Sequence, residues 1–154
     1  MSDFFSYQAK PSAEPAPAAE APQSILAALS GDDWEHVIRF AARRRFPAGA
    51  TLFLAAESDR ALHFIASGQI EITGPGLARV VRGEGEVLGL MSFLDGAPSA
   101  VTAKVTAAGP AELLRITPEA LQQLSAWQPR IAMELMRDLG AHVAARLRRL
   151  QAAD

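Results

Sequence analysis

"ALHFIASGQIEIT" (residues 61–73) is two short runs of β-branched and aromatic residues broken by a Ser-Gly pair, a spacing that suits strands and turns rather than helices. "FPAGATLFLAA" (46–56) precedes it, and "ARVVRGEGEVLG" (78–89) and "AVTAKVTAAGPAELLRIT" (100–117) follow in the same style, punctuated by Gly, Pro, Asp and Ser. No amphipathic helix separates one run from the next, so a parallel sheet is disfavoured and a sandwich, barrel or jelly roll is expected. The predicted fold is therefore mainly β with flanking helices: an antiparallel β-roll over about residues 45–116.

Outward from that body the pattern turns helical on both sides. "SILAAL" (24–29) predicts a short helix, and Ser30 with Asp33 three residues on resembles a capping box opening "DDWEHVIRFA". Downstream, Thr117 as cap with Pro118 at the first helical position begins one helix, and Pro129 begins a longer one, so helices are expected over 117–153. In the last of these, Ile131, Leu135, Met136, Leu139, Val143, Leu147 and Leu150 recur at intervals of three or four and make one apolar stripe. A stripe that long either lies flat on its own barrel or pairs, in its distal half, with the same helix of a second chain as a short coiled coil. Residues 1–23 contain "AKPSAEPAPAAEAPQ", too poor in large apolar groups to offset ordering entropy, and are expected to be a disordered tail ahead of one domain at 24–154.

A chain of 154 residues has room for one real core. Its net charge of −2 offers no broad attraction to nucleic acid or to an anionic membrane. With no cysteine, thiol catalysis and Cys-based metal centres are excluded, and with neither a leader-like N-terminus nor a long uninterrupted apolar stretch, a cytoplasmic protein is expected. His36, His63 and His142 show no metal-site spacing, and no G-x-S-x-G elbow is present, so neither a metal centre nor an enzyme is expected. "GEGEVLG" (83–89) opens no long helix and reads as strand, turn and strand. Arg146, Arg148 and Arg149 close the last helix, where cations complement its carbonyl end; with no second helix-turn-helix unit after them, a nucleic-acid partner is not expected.

Taken in order, "FPAGATLFLAAESDRALHFIASGQIEIT" (46–73), "GEGEVLGLMSFLDGAPSAVTAKVTA" (83–107) and "AELLRITPEALQQL" (111–124) resemble the cyclic nucleotide-binding domain family, the sensor module of Crp/Fnr-type regulators. Phe46 and Gly49 fit its first strand turn, Gly68 a later one, and Gly85, Glu86 and Gly89 the approach to its phosphate-binding cassette. The cassette of that family typically reads G-E-L-A-L and then P-R-A-A-T. Gly89, Pro98, Ala100 and Thr102 keep the pattern, whereas Leu90 stands in place of the glutamate that grips the ribose and Ser99 in place of the arginine that pairs with the cyclic phosphate.

The resemblance implies a hollow β-roll with ligand contacts from Gly89, Leu90, Met91, Pro98, Ser99, Ala100 and Thr102. Arg79 and Arg82 fall by the same resemblance near positions facing the nucleotide, with Ile72 as an apolar wall beneath them. Either they hold an anion from the opposite lip, or Arg82 pairs with Glu84 across a turn. Loss of two charge-assisted hydrogen bonds would weaken cAMP or cGMP binding by about two to four orders of magnitude.

Three functions compete on this basis. One is a stand-alone sensor that binds a cyclic nucleotide or another small anion and signals through its C-terminal helix as a homodimer. Another is a protein-interaction module whose pocket is filled by Leu90, Met91 and Phe93. The third is a Crp/Fnr-type regulator lacking its DNA-binding half.

Overall fold

A computed structural model describes residues 29–53, 56 and 60–152, so the expected tail and most of the "SILAAL" segment lie outside the described residues. The element order is α1 (Gly31–Arg39), β1 (Ala42–Phe46), β2 (Thr51–Phe53), β3 (Leu62–Ser67), β4 (Ile70–Gly74), β5 (Leu77–Arg82), β6 (Val87–Leu88), α2 (Leu90–Asp95), β7 (Thr102–Val105), β8 (Ala111–Ile116), α3 (Pro118–Trp127) and α4 (Pro129–Ala152). The strands form two four-stranded sheets, ordered β1-β8-β3-β6 and β2-β7-β4-β5, and every pairing is antiparallel. This is the β-roll expected, with a helix before it and two helices after it.

Two apolar clusters hold the layers together, and the two-residue period of a strand decides which side chain enters which. On β3, Leu62 and Phe64 join Trp34, Val37, Leu124, Ile131, Leu135 and Leu139 in the cluster under the helices. Ile65 faces the other way, with Phe53, Ile70, Val105 and Leu113 between the sheets. Being buried on both faces, β3 reads as a continuous apolar run rather than an alternating one. Trp34 is fully buried and meets Phe64 edge-on, ring centroids 5.6 Å apart at 86°; truncating an aromatic so placed costs about 3–5 kcal/mol.

The helix ends follow their sequence signals. Ser30 Oγ accepts the Asp33 backbone N–H, and Asp33 accepts the Ser30 N–H in return, a reciprocal capping box. The second carboxylate oxygen of Asp33 accepts from Arg130 Nη2 at 2.6 Å, which ties the start of α1 to the start of α4. Thr117 caps α3 by accepting the Ala120 N–H at 3.1 Å, with Pro118 in the first turn. In α4, Ile131, Ala132, Leu135 and Leu139 are buried, whereas Leu147 and Leu150 are exposed, so only its first half packs within the core.

β1 begins at Ala42, three residues before the expected start of the roll. Its "ARRRF" sequence hides the strand because β1 is a sheet edge, where charged side chains face solvent and discourage pairing with another chain. Arg43 reaches across to Glu112 of β8 at 3.2 Å.

Candidate functional site

β6 ends at Leu88, and the chain turns at Gly89 into α2, which closes at Gly96 in the left-handed conformation. Gly89 has φ +77°, and a Cβ built on it would stand 2.6 Å from the Ala61 carbonyl oxygen. Both the handedness and the close approach to the backbone of Ala61, just before β3, therefore demand glycine. Residues 97–100 then lead to β7 without regular structure. In this loop the Ser99 hydroxyl donates to the Val101 carbonyl at 2.7 Å and accepts the Val101 N–H at 3.1 Å, so it closes its own turn.

Beside this turn lies a cavity of about 510 Å³. Gly89, Leu90, Met91, Pro98, Ser99 and Ala100 line one side, and Ile72, Val80 and Arg82 of the β4–β5 hairpin line another. His142 and Arg146 of α4 complete the wall. Among the described residues the remaining lining is largely apolar, with Asp95 its one acidic side chain. Leu90 and Phe93 are buried and belong to the cluster under the helices, while Met91 is 56% exposed. None of these three fills the space.

Two of the residues expected at the site are placed elsewhere. Arg79 and Arg82 are three apart on β5, an odd interval, so they point to opposite faces of the strand. Arg82 pairs in register with Ile70, and Val80 with Ile72, which sets Arg82 and Val80 on the cavity face. Arg79 is on the other face, where it pairs with Glu71, and it does not line the cavity. Thr102 starts β7 opposite Thr73 and is likewise outside the lining. Arg82 pairs with Glu86 at 3.5 Å, and Glu86 is anchored by accepting the Gly83 N–H at 2.7 Å.

Sequence reasoning missed His142 and Arg146 as cavity residues. They are four apart and follow Leu135 and Leu139 at helical intervals, so the buried stripe of α4 turns basic where it passes over the cavity. The helical interval from Leu135 and Leu139 is legible in the sequence, but Val143 and Leu147 continue the apolar stripe at equally good intervals, so the sequence alone does not say which pair turns inward. His142 is half-buried, and its Nδ1 is enclosed without a hydrogen-bond partner. Burial, reinforced by the positive charges of Arg146, Arg149 and Arg82, holds its imidazole below the usual histidine range and favours the neutral form.

Among the described residues no cluster of His, Asp or Glu suited to a metal ion occurs, and no helix is long and apolar enough to cross a membrane. The arrangement is a cavity with apolar walls and a basic lip.

Comparison with solved structures finds the same architecture. The catabolite activator protein of Thermus thermophilus is 26% identical, with a TM-score of 0.72 over 85% of this chain and 61% of that one. The N-terminal domain of a transcriptional regulator from Streptomyces coelicolor A3(2) is 24% identical, with a TM-score of 0.67 over 85% of this chain and 93% of that one. A cyclic nucleotide-binding domain from Methylobacillus flagellatus is 21% identical, with a TM-score of 0.70 over 79% and 70% of the two chains. The chain thus spans about three fifths of the Thermus protein's length (61%). No curated protein matches it. The family model described as "Cyclic nucleotide-binding domain" matches residues 43–126, more than half of the 154 residues, and the chain belongs to that family.

Proposed function

We propose that this chain is a non-catalytic regulatory domain whose cavity takes a small anionic ligand, has lost tight binding of cAMP and cGMP, and transmits its occupancy through α4. The observation that carries this reading is one cavity bounded by a cassette turn on one side and by α4 on the other. A ligand there touches both, and a helix shifts on binding only if the ligand has different affinity for its two arrangements. The loss of cyclic nucleotide affinity rests on Leu90, buried in the core where the family carries glutamate, and on Ser99, whose hydroxyl is committed to Val101 where the family carries arginine.

The same reading makes the domain a homodimer through α4. Met133, Met136, Leu147 and Leu150 are 36–66% exposed, and with Gly140 and Val143 they recur at alternating intervals of three and four, the seam of a two-stranded coiled coil. A Cβ added at Gly140 would meet nothing, so that seam is open.

Calorimetric titration with cAMP, cGMP and cyclic dinucleotides tests the ligand part. Isotherms that stay unsaturated below about millimolar concentration are expected from two missing charge-assisted bonds. Saturation by cAMP in the low micromolar range would overturn it.

A further inference from the structure

We propose that the cavity holds the charged end of its ligand between Arg82 of β5 and the His142–Arg146 pair of α4, and so selects an organic anion with one terminal phosphate or carboxylate on an apolar body. The inference rests on the reading of this cavity as a ligand site and adds which end of it carries the charge recognition.

Strand alternation places Arg82 on the cavity face, and helical spacing places His142 and Arg146 on one face of α4, so groups from two separate elements meet around one space. His142 lines the same space with a half-buried imidazole whose Nδ1 has no hydrogen-bond partner. Arg82 shares its charge with Glu86 at 3.5 Å, while Arg146 has no ion-pair partner among the described residues. Basic groups gathered in one partly enclosed space repel one another, and an oxyanion relieves that repulsion while accepting hydrogen bonds from guanidinium forks suited to phosphate and carboxylate.

The side chains of Leu90 and Ser99 on the opposite wall make no competing offer. Leu90 is apolar, and the Ser99 hydroxyl is already satisfied. Asp95, whose Oδ1 accepts the Ala97 N–H, adds negative charge on the cassette side. Ile72, Val80, Val87 and Leu88 supply the apolar walls that fix the character of the ligand's body. A ligand held this way spans β5 and α4 directly, which supplies the differential contact that coupling to the helix needs.

The groups around His142 give the site a proton dependence. Arg82 faces it from β5 and Arg146 and Arg149 from its own helix, Asp138 lies one turn before it, and Asp95 sits across the cavity. Burial, reinforced by the three arginines, keeps the imidazole neutral in the empty site; a bound oxyanion favours the imidazolium. Binding therefore takes up a proton and tightens as pH falls through the range in which the bound imidazole protonates.

The test is calorimetric titration of the whole chain with 1-naphthyl phosphate, 1-naphthoate and the neutral 1-naphthol, with thermal melts of every variant as the folding control. The phosphate and the carboxylate separate the two oxyanions, and naphthol reports the apolar body alone. Both acids should bind at least about tenfold tighter than naphthol, and Arg82→Ala and Arg146→Ala should each weaken the acids about tenfold or more while leaving naphthol unchanged. His142→Gln should keep binding but remove the dependence of the binding enthalpy on the ionisation enthalpy of the buffer. Val80→Trp, which fills the cavity, should block all three compounds. If all three compounds fail to bind at millimolar concentration, the ligand-site reading falls and this inference with it. If they bind, are blocked by Val80→Trp, and ignore both arginine substitutions, the inference alone is refuted and the ligand site stands.

Discussion

Replacing Ser99 by arginine should restore part of the missing phosphate recognition, and the structure sets how much. Ser99 is half-buried on the cavity wall, and its hydroxyl holds only the backbone of Val101. Losing those two local bonds costs about 1 kcal/mol, or about 3–4 °C in melting temperature. A guanidinium placed there can donate a bidentate pair to a cyclic phosphate, for about 1.5–3 kcal/mol, a factor of about 10–150. Asp95 on the same wall competes for the new cation, which brings the expected gain for cAMP to about tenfold, the lower end of that range.

The companion change behaves differently. Leu90 is only 4% exposed and packs in the cluster under the helices, so Leu90→Glu forfeits about 1.5–3 kcal/mol of burial and leaves a carboxylate to be desolvated. Ser99→Arg alone should therefore bind cAMP better than the double variant, and Ser99→Lys, a point charge, should gain less than Arg. Calorimetric titration of the three variants against wild type measures the ratios. A folded Ser99→Arg protein with unchanged cAMP affinity would refute the premise that a guanidinium at position 99 reaches the phosphate of cAMP bound in this cavity.

Gly89→Ala forces a Cβ to 2.6 Å from the Ala61 carbonyl oxygen at φ +77°, and should lower stability by more than about 2 kcal/mol, read as a reduced urea midpoint with unchanged slope. Burial raises the Asp33 carboxyl's affinity for protons, but the hydrogen bond from Arg130, those from Ser30 and the Arg130 charge outweigh it and hold its pKa below the usual 3.8. With the folded value depressed, its stabilisation is present above that pH and is lost as pH falls through the folded value. Asp33→Ala should accordingly cost about 1–3 kcal/mol at neutral pH and flatten the acid limb of a melting-temperature profile. Leu147, 53% exposed on the outer seam of α4, should when changed to Lys convert a dimer to a monomer in analytical ultracentrifugation with little change in monomer stability.

What was legible in the sequence follows from which physical signals act locally. The strands between Leu62 and Ile116 showed because β-branched residues, aromatics and turn glycines are local signatures, and Gly89 showed because its turn tolerates nothing else. β1 did not show, since an edge strand built of arginines carries no apolar alternation. The odd spacing of Arg79 and Arg82 already required opposite faces, yet choosing the inner one needed the register with Ile70 and Ile72. His142 and Arg146 joined the cavity through tertiary packing: only the seating of Leu135 and Leu139 on the core fixed the rotation of α4 that turns them inward.

Central to this account is the coupling between the cavity and α4, and amide hydrogen exchange measured with and without 1-naphthyl phosphate tests it most directly. Slower exchange across residues 138–149 of α4 on binding is predicted, because the ligand fixes the helix to β5 through Arg82, His142 and Arg146. Saturated binding that protects the cavity strands and leaves α4 unchanged would contradict it.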